Sequence, residues 1–380
     1  MANRKHRLVN APTDPQLDRL LNTISVGDGP NIADLEHLLS IEDSDQLATL
    51  MAAARQARQR HFGERVFLYG FLYASTFCRN HCRFCLYRKD NAAAPRYRKR
   101  PSEMVALAEA LAASGVHLID LTMGEDPLVY TPDGDGFDEL LNTMKRIRQA
   151  TQLPMMASVG VLPAEVLAEL SELGVEWYAC YQETHSPGLY ARLRSGQDYA
   201  ERMESKARAR DLGLLVEEGI LTGVGERTAD LARSLMAMRA MAADQVRAMT
   251  FVPQSGTPMA ALQPPAPLTE LKLIALMRLL MPTSLIPASL DIDGLSGLAA
   301  RLAAGANVIT SLVPPGEGLA GVAQSELDIE AGKRTVAGIQ ETLAQSGLQA
   351  ADAAQYRDWI IARQAMKNGA CRERFDRCAS

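Results

Sequence analysis

Short apolar runs alternate with longer amphipathic stretches through most of the chain. Eight runs of five to eight residues have the length and apolar content of buried strands. They cover residues 66–73, 117–122, 155–159, 177–181, 214–221, 246–251, 285–291 and 307–312. Because apolar side chains fill most positions of these runs, we expect both faces of the sheet to be covered, as in parallel sheets.

Helical patterns separate the predicted strands. They cover residues 103–114, 137–150, 164–173, 201–212, 228–242, 269–281 and 294–304, and a glycine follows four of them at Gly115, Gly174, Gly213 and Gly305. Glycine readily adopts the left-handed conformation that ends many helices. Eight strands alternating with helices indicate a (β/α)8 barrel of the TIM type, in the α/β class.

Helical patterns also flank the predicted barrel. After a polar arm over residues 1–15, apolar positions such as Leu17, Leu20 and Leu21 predict helices up to residue 60. Helical spacing returns near the end of the chain, at Val336, Ile339, Leu343 and Leu348. We therefore expect an N-terminal extension over 1–60, a barrel over 61–325 and a helical tail over 326–380.

Composition narrows the range of partners. The 380 residues carry a net charge of −5, so the chain lacks the basic character of nucleic-acid-binding proteins. No apolar run reaches the length of a membrane span, and the polar N-terminus lacks the apolar core of a secretion signal. We expect a cytoplasmic protein. Six cysteines in so long a chain do not indicate a disulfide scaffold.

Three of the cysteines follow the first predicted strand within eight residues. Cys78, Cys82 and Cys85 have the spacing C-x3-C-x2-C, and no fourth cysteine lies nearby. Three thiolates on one loop can hold three irons of a [4Fe–4S] cluster, which leaves one iron open to a substrate or cofactor. Zinc is an alternative with His81 as the fourth ligand, although His81 directly precedes Cys82. Buried structural cysteines would not need this spacing.

Polar residues occur where other predicted strands end, the place where (β/α)8 barrels carry their chemistry. They include Asp120, Ser158, Glu183, Arg247, Ser289 and Asp291. Taken alone, each has a structural interpretation, such as a helix cap or a buried hydrogen-bond acceptor. Taken together, they predict a mouth that suits an amino acid, because Arg binds a carboxylate while Asp and Ser bind an ammonium group.

The cysteine spacing, with Phe84 just before the last cysteine, resembles the radical S-adenosylmethionine (radical SAM) superfamily. Further segments resemble the methylornithine synthase family of pyrrolysine biosynthesis, in the biotin-synthase-like group. They are 66–85, 120–127 (DLTMGEDP), 181–184 (YQET), 218–225 (EGILTGVG), 246–251, 286–291 (IPASLD) and 302–311. The resemblance spans residues 35–350.

This resemblance implies a role for each matched position. Cys78, Cys82 and Cys85 would bind the cluster, and its open iron would bind S-adenosylmethionine (SAM). The residues implied to hold SAM are Phe84, Met123, Gly124, Glu125, Ser158, Glu183, Arg202, Gly219, Leu221, Gly223 and Glu226. Those implied to form the amino-acid pocket are Asp120, Arg247, Ser289 and Asp291.

The reaction implied by the resemblance is isomerisation of L-lysine to (3R)-3-methyl-D-ornithine. A 5′-deoxyadenosyl radical from SAM would start it, and the substrate would fragment and rejoin with a branched skeleton. A reducing donor such as flavodoxin or ferredoxin is also implied. Two alternatives stay open: a radical SAM enzyme of the same group acting on another amino acid, and a non-catalytic iron–sulfur or zinc barrel that serves as a scaffold.

Overall fold

The structure is a computed structural model that describes residues 14–26, 29–131, 133–314 and 333–378, with side chains described as far as Lys367. Three helices precede the barrel: α1 (Pro15–Val26), α2 (Ile32–Ser40) and α3 (Ser44–Phe62). Asn31 and Asp34 exchange side-chain-to-backbone hydrogen bonds of 3.0 Å, which form a capping box at the start of α2. The predicted arm over 1–15 lies almost entirely outside the described residues.

Eight parallel strands form the barrel, which confirms the predicted fold class. They are β1 (Arg65–Ser75), β2 (Leu118–Met123), β3 (Met155–Ser158), β4 (Trp177–Ala179), β5 (Leu215–Thr222), β6 (Gln245–Thr250), β7 (Pro287–Ser289) and β8 (Val308–Leu312). The sheet order is β6-β5-β4-β3-β2-β1-β8-β7. Leu285 joins its two ends, because its carbonyl accepts from Val246 N at 3.0 Å and its N–H donates to Asp244 O at 2.9 Å.

Helices surround the sheet. They are α4 (Pro101–Ser114), α5 (Gly136–Thr151), α6 (Ala164–Glu172), α7 (Pro187–Leu193), α8 (Tyr199–Asp211), α9 (Thr228–Ala240), α10 (Leu268–Leu280) and α11 (Leu298–Ala303). The sequence did not predict α7, which is short and begins with Pro187 and Gly188. Proline is tolerated there because the first turn of a helix needs no backbone donor. Helix α11 begins later than predicted, since Gly294 has a φ of 60° that is incompatible with a helix.

Alternate residues of each strand enter two apolar layers. In β1, Phe67 and Tyr69 belong to the layer inside the barrel, whereas Val66 and Leu68 belong to the layer between sheet and helices. All four side chains are almost fully buried. Burial on both faces explains why the strands are continuous apolar runs in the sequence.

The C-terminal segment closes the barrel at the N-terminal ends of its strands. It contains α12 (Gln340–Gln345), the short strand β9 (Gln349–Ala350) paired with β1, and α13 (Ala353–Cys378). The Tyr356 hydroxyl donates to the Tyr69 hydroxyl at 2.7 Å. The ring of Trp359 stacks on that of Trp177, with 5.8 Å between the ring centroids. The predicted tail contains two helices, but of the four positions with helical spacing Leu343 alone lies in α12, which ends before Gly347. No described helix is long and apolar enough to cross a membrane.

Candidate active site

A cavity of about 250 Å³ lies at the C-terminal ends of the strands, opposite α13. Every barrel strand contributes a lining residue from within it or just after it. The predicted site residues that line the cavity are Cys78, Cys82, Phe84, Cys85, Asp120, Met123, Gly124, Glu125, Ser158, Glu183, Arg202, Leu221, Arg247 and Asp291. The others do not line it, namely Gly219, Gly223, Glu226 and Ser289.

The three motif cysteines lie on one loop at the edge of this cavity. Cys82 Sγ accepts hydrogen bonds from the side chains of Gln197 at 3.0 Å and Arg194 at 3.4 Å, donors that stabilise a thiolate. Burial raises the pKa of Cys78 to about 11 and raises the pKa of Cys85 as well. Buried thiols of this kind become thiolates when a metal supplies the compensating charge, so the donor set fits a metal centre.

The fourth ligand proposed for a zinc site turns away from the cysteines. His81 Nδ1 lies 2.6 Å from Asp90 Oδ2 on the outer surface. Among the described residues, no three His, Cys, Asp or Glu side chains converge on a single metal ion. In a [4Fe–4S] cluster each thiolate binds a different iron, so cysteines spread along a loop suit a cluster better than zinc.

The loop after β2 packs directly against the cysteine loop. A Cβ atom at Gly124 would lie 2.4 Å from the carbonyl oxygen of Phe77 and 2.8 Å from Cys78 Cβ, so only glycine permits this approach. Arg79 forms two hydrogen bonds with Glu125, the residue after Gly124. Its backbone N–H donates to Glu125 O at 2.8 Å, and its Nε donates to Glu125 Oε2 at 2.9 Å. These contacts fix the Glu125 carboxylate in the cavity wall beside the cysteines.

Two buried arginines face two buried carboxylates in the same wall. Arg202 Nη2 lies 3.4 Å from Glu125 Oε1, and Arg194 Nη2 donates to Glu183 Oε1 at 2.5 Å. Burial raises the pKa of Glu183, although the guanidinium of Arg194 opposes the shift. Glu183 also has a φ of 65°, and its N–H donates to Gly219 O at 3.0 Å. Strained non-glycine backbone is concentrated at functional sites.

The glycine-rich segment that runs from the end of β5 into the following loop supports the wall and contributes little of its surface. A Cβ atom at Gly219 would lie 2.8 Å from the ring of Tyr181. Gly223 has a φ of 83°, and its N–H donates to Glu226 Oε1 at 2.6 Å. Gly219, Gly223 and Glu226 therefore shape the backbone here, and of the four residues predicted in this segment Leu221 alone lines the cavity.

Arg247 lies in the barrel interior and is fixed on two sides. Its Nε donates to Glu217 Oε1 at 2.7 Å, and its Nη1 donates to Thr310 Oγ1 at 3.3 Å. Tyr181 binds the other oxygen of Glu217 at 3.0 Å. Arg247 Nη2 is buried and has no hydrogen-bond partner within the described part of the chain. Buried donors nearly always have partners, so Nη2 indicates an acceptor such as a ligand carboxylate in the cavity.

Asp120 places a negative charge in the cavity wall, opposite in sign to the charge of Arg247. Its Oδ1 accepts hydrogen bonds from Ser158 Oγ at 2.7 Å and Thr122 Oγ1 at 3.0 Å. Burial and the nearby carboxylate of Glu217 raise the pKa of Asp120 to about 6. A poorly solvated carboxylate of this kind is stabilised by a neighbouring cation, so it suits a ligand ammonium group.

Asp291 lines the cavity, and the positive charge of Arg334 balances its negative charge. Arg334 Nη2 donates to Asp291 Oδ1 at 2.6 Å, and Ser311 Oγ donates to Oδ2 at 2.6 Å. Ser289 is buried beneath the wall and makes a longer contact of 3.4 Å to the same oxygen. The sequence predicts that Asp291 and Ser289 belong to an amino-acid pocket that binds an ammonium group. In the structure Asp291 also belongs to a buried ion pair with Arg334.

Three charged residues of this site were missed by sequence reasoning: Arg194, Glu217 and Arg334. Glu217 precedes Glu218 in an otherwise apolar strand, and this pair of acids was a usable signal. Arg194 directly follows the unpredicted helix α7, and Arg334 lies between the barrel and α12, so no strand or helix pattern marked either position.

Comparisons with known proteins identify the family. The model of the Radical SAM superfamily matches residues 72–236. The 3-methylornithine synthase of Methanosarcina acetivorans is 41% identical over 340 residues, which are 90% of this chain and 96% of that protein. The chain belongs to the 3-methylornithine synthase family.

Structural comparison agrees with membership of the 3-methylornithine synthase family. The crystal structure of methylornithine synthase (PylB) superimposes with a TM-score of 0.84 at 38% identity, covering 90% of this chain and 99% of that one. The [FeFe] hydrogenase maturase subunit HydE of Thermotoga maritima is 31% identical over 278 residues, 72% of this chain and 78% of that protein. The resemblance found in the sequence is therefore confirmed.

As a radical SAM enzyme of the 3-methylornithine synthase family, the chain uses a [4Fe–4S] cluster and SAM and takes electrons from a reductant. The residues present fit these groups. Three thiols on one loop, with a buried guanidinium at Cys82, suit an iron–sulfur cluster. The neighbouring buried wall of paired carboxylates and guanidinium groups suits a zwitterionic ligand. The zinc and scaffold alternatives are not supported.

Proposed function

We propose that this chain isomerises L-lysine to (3R)-3-methyl-D-ornithine, the first step of pyrrolysine biosynthesis. The observation that carries the proposal is the 41% identity to a 3-methylornithine synthase over 90% of the chain. The cavity supports it, because its wall offers both a guanidinium for a carboxylate and a carboxylate for an ammonium group. The chain is less similar to HydE, at 31% identity, so a different radical SAM activity is the weaker interpretation.

In this proposal, opposite walls hold the two ends of the amino acid. Arg247 Nη2 binds the carboxylate of lysine, and Glu217 holds the guanidinium in position. Asp120 accepts from an ammonium group, with Ser158 beside it. Asp291 offers Oδ2 near the cavity, whereas its pairing with Arg334 reduces its attraction for a second cation.

The same proposal assigns the cofactor residues. Cys78, Cys82 and Cys85 would each bind one iron, which leaves the fourth iron for SAM. The residues proposed to hold SAM are Phe84, Met123, Gly124, Glu125, Ser158, Glu183, Arg202 and Leu221, with Gly219 in β5 and Gly223 and Glu226 in the following loop shaping the backbone beneath them. When bound, the reduced cluster and SAM supply a 5′-deoxyadenosyl radical that takes a hydrogen atom from the substrate.

The protein's further contribution is containment. A lysine radical that fragments must keep both pieces together until they rejoin as the branched skeleton. The cavity wall contains buried apolar side chains such as Phe71 and Tyr73, and α13 covers the opposite end of the barrel. Exclusion of water from such a site prevents side reactions.

The proposal extends to the organisation and setting of the chain. Residues 61–325 act as the catalytic barrel, with 1–60 and 326–380 as flanking units. The reductant is a flavodoxin or a ferredoxin, and the reaction takes place in the cytoplasm. The helices α1–α3 before β1, and α12 and α13 after β8, support this division.

The experiment is anaerobic incubation of the reconstituted protein with SAM, dithionite and one amino acid at a time. L-lysine, D-lysine and L-ornithine are compared by chiral chromatography with mass detection. The proposal predicts that L-lysine alone is consumed, to a product of equal mass that co-elutes with 3-methyl-D-ornithine. Formation of 5′-deoxyadenosine with L-lysine left unchanged would contradict the proposed substrate.

A further inference from the structure

The segment that carries the cysteines is basic, although the chain as a whole is acidic. Residues 79–100 contain eight Lys and Arg and one Asp, whereas the rest of the chain has 32 Lys and Arg against 44 Asp and Glu. Some of the cations have internal roles. Arg96 donates to four backbone carbonyls, Arg98 pairs with the buried carboxylate of Asp126, and Arg79 pairs with Glu125.

Arg83 and Lys89 have no such internal role. Both are exposed, and in the described part of the chain neither forms an ion pair with a carboxylate. Arg83 lies between Cys82 and Cys85 in the sequence. The N–H of Lys89 donates at 2.8 Å to the carbonyl of Asn80, two residues from Cys78 and from Cys82. These two cations therefore lie on the solvent side of the loop that carries the thiols.

Helix α7 adds a third cation to the same surface. The N–H of Arg83 donates to Leu193 O at 2.9 Å, and Arg192, the residue before Leu193, is exposed. We call Arg83, Lys89 and Arg192 the cysteine-loop basic surface. Asp90, the one acid within 79–100, contacts His81, lies 3.4 Å from Arg88 and also interacts with Lys89, so one carboxylate is shared among several cations and balances only part of the positive charge.

We propose that the cysteine-loop basic surface docks an acidic protein that carries one electron to the cluster. The inference rests on the proposed function, because it requires the cluster bound by Cys78, Cys82 and Cys85. The carrier loses one electron and the oxidised cluster gains it, with no transfer of atoms. Cys78 and Cys85 retain partial exposure, so this loop is a short route from solvent to the irons.

The charge pattern suits a transient partner. Electron-transfer complexes have small interfaces, and complementary charge raises their association rate from about 10⁵–10⁶ to as much as about 10⁸–10⁹ M⁻¹s⁻¹ at low salt. A locally positive surface on a chain of net charge −5 also favours one docking place for an acidic carrier.

The test measures binding of a fluorescently labelled, oxidised, acidic flavodoxin to the cluster-containing protein at low and high salt. Arg83→Glu combined with Lys89→Glu should weaken binding about tenfold or more at low salt and flatten the salt dependence. The matched control is Lys145→Glu with Arg146→Glu, an equal change of charge on the exposed face of α5. The control should change the Kd by less than about twofold.

A kinetic measurement separates this inference from the proposed function. Formation of 5′-deoxyadenosine driven by reduced flavodoxin should fall in the Arg83→Glu, Lys89→Glu variant, while formation driven by dithionite stays unchanged. If dithionite gives no 5′-deoxyadenosine with the wild type, the proposed function fails, and the binding result still decides the docking surface. Arg192→Glu, outside the cysteine loop, repeats the test if the double variant loses iron.

Three results would overturn the docking surface. The first is wild-type affinity for flavodoxin in both the double variant and Arg192→Glu. The second is an equal loss of affinity in the α5 control, which would reflect net charge alone. The third is tighter binding of duplex DNA than of flavodoxin by the wild type.

Discussion

The Arg247 guanidinium is held in the barrel interior by the Glu217 carboxylate, whose Oε1 accepts from Nε at 2.7 Å. The two residues lie on the adjacent strands β6 and β5, and both side chains are almost fully buried. With Nε bound to Glu217 and Nη1 directed to Thr310, Nη2 is left for a ligand. Glu217 thus acts as a positioning residue for the group that we propose binds the lysine carboxylate.

Replacing Glu217 with Gln should lower kcat/KM for L-lysine by about tenfold to 100-fold, because a charged hydrogen bond that orients Arg247 is lost. The loss should appear mainly as a higher KM. SAM cleavage without lysine should stay near the wild-type rate. Thr310→Val is the control, since it removes one longer and neutral contact and should have a smaller effect. A Glu217→Gln enzyme with the wild-type KM would contradict the positioning role.

Asp120→Asn should make the protein more stable at pH 8 and less able to bind lysine. Burial raises the Asp120 pKa to about 6, so its protonated form favours folding, and that contribution is lost as pH rises through about 6. Asn retains the acceptor for Ser158 and Thr122 without the buried charge. Unfolding at pH 8 should then cost about 3 kcal/mol more than for the wild type, with the difference shrinking towards pH 4.

The same shift predicts that the wild-type KM for lysine rises as pH falls below about 6, since a protonated Asp120 no longer attracts an ammonium group. Urea unfolding of the cofactor-free protein at several pH values tests the stability claim, and lysine kinetics test the binding claim. An Asp120→Asn variant less stable than the wild type at pH 8 would refute the assignment of an unfavourable buried charge.

Arg334→Met should destabilise the fold by about 3–5 kcal/mol, because it leaves the buried Asp291 without its cation. Adding Asp291→Asn should restore most of that stability, since the second change removes the uncompensated charge. Urea unfolding of the wild type, both single variants and the double variant gives the coupling energy. Additive effects of the two substitutions would show that the Arg334–Asp291 pair does not act as a unit.

Cys82→Ala should abolish cluster binding, measured as iron content and visible absorbance after anaerobic reconstitution. Cys180→Ala is the matched control, because Cys180 is also a buried thiol of the cavity wall but contacts Arg202 Nη1 at 2.9 Å, outside the motif loop. The control should keep its iron. Full iron content in the Cys82→Ala protein would mean that the ligand set is different.

The barrel was predictable because parallel strands that are buried on both faces appear in the sequence as continuous apolar runs. The residues at which strands and helices begin and end were less predictable. The seventh strand was predicted over 285–291, whereas β7 covers Pro287–Ser289. Leu285 instead bridges to β6 to close the barrel, and Asp291 turns out of the sheet to meet Arg334. Both departures depend on partners distant in sequence.

The site was predictable in part for a similar reason. Asp120, Ser158 and Arg247 were expected to meet because the C-terminal ends of parallel strands share one edge. Strand periodicity does not tell which of Glu217 and Glu218 faces the interior. In the structure Glu217 meets Arg247 inside the barrel, while Glu218 pairs with Lys206 of α8 on the outer side.

The most direct test of the central claim mixes unlabelled L-lysine with fully ¹³C,¹⁵N-labelled L-lysine in one anaerobic reaction with SAM and dithionite. If lysine fragments and rejoins within this cavity, the 3-methylornithine formed is either wholly labelled or wholly unlabelled. Products that combine labelled and unlabelled halves would show that fragments escape, and a product without the branched skeleton would contradict the proposed reaction itself.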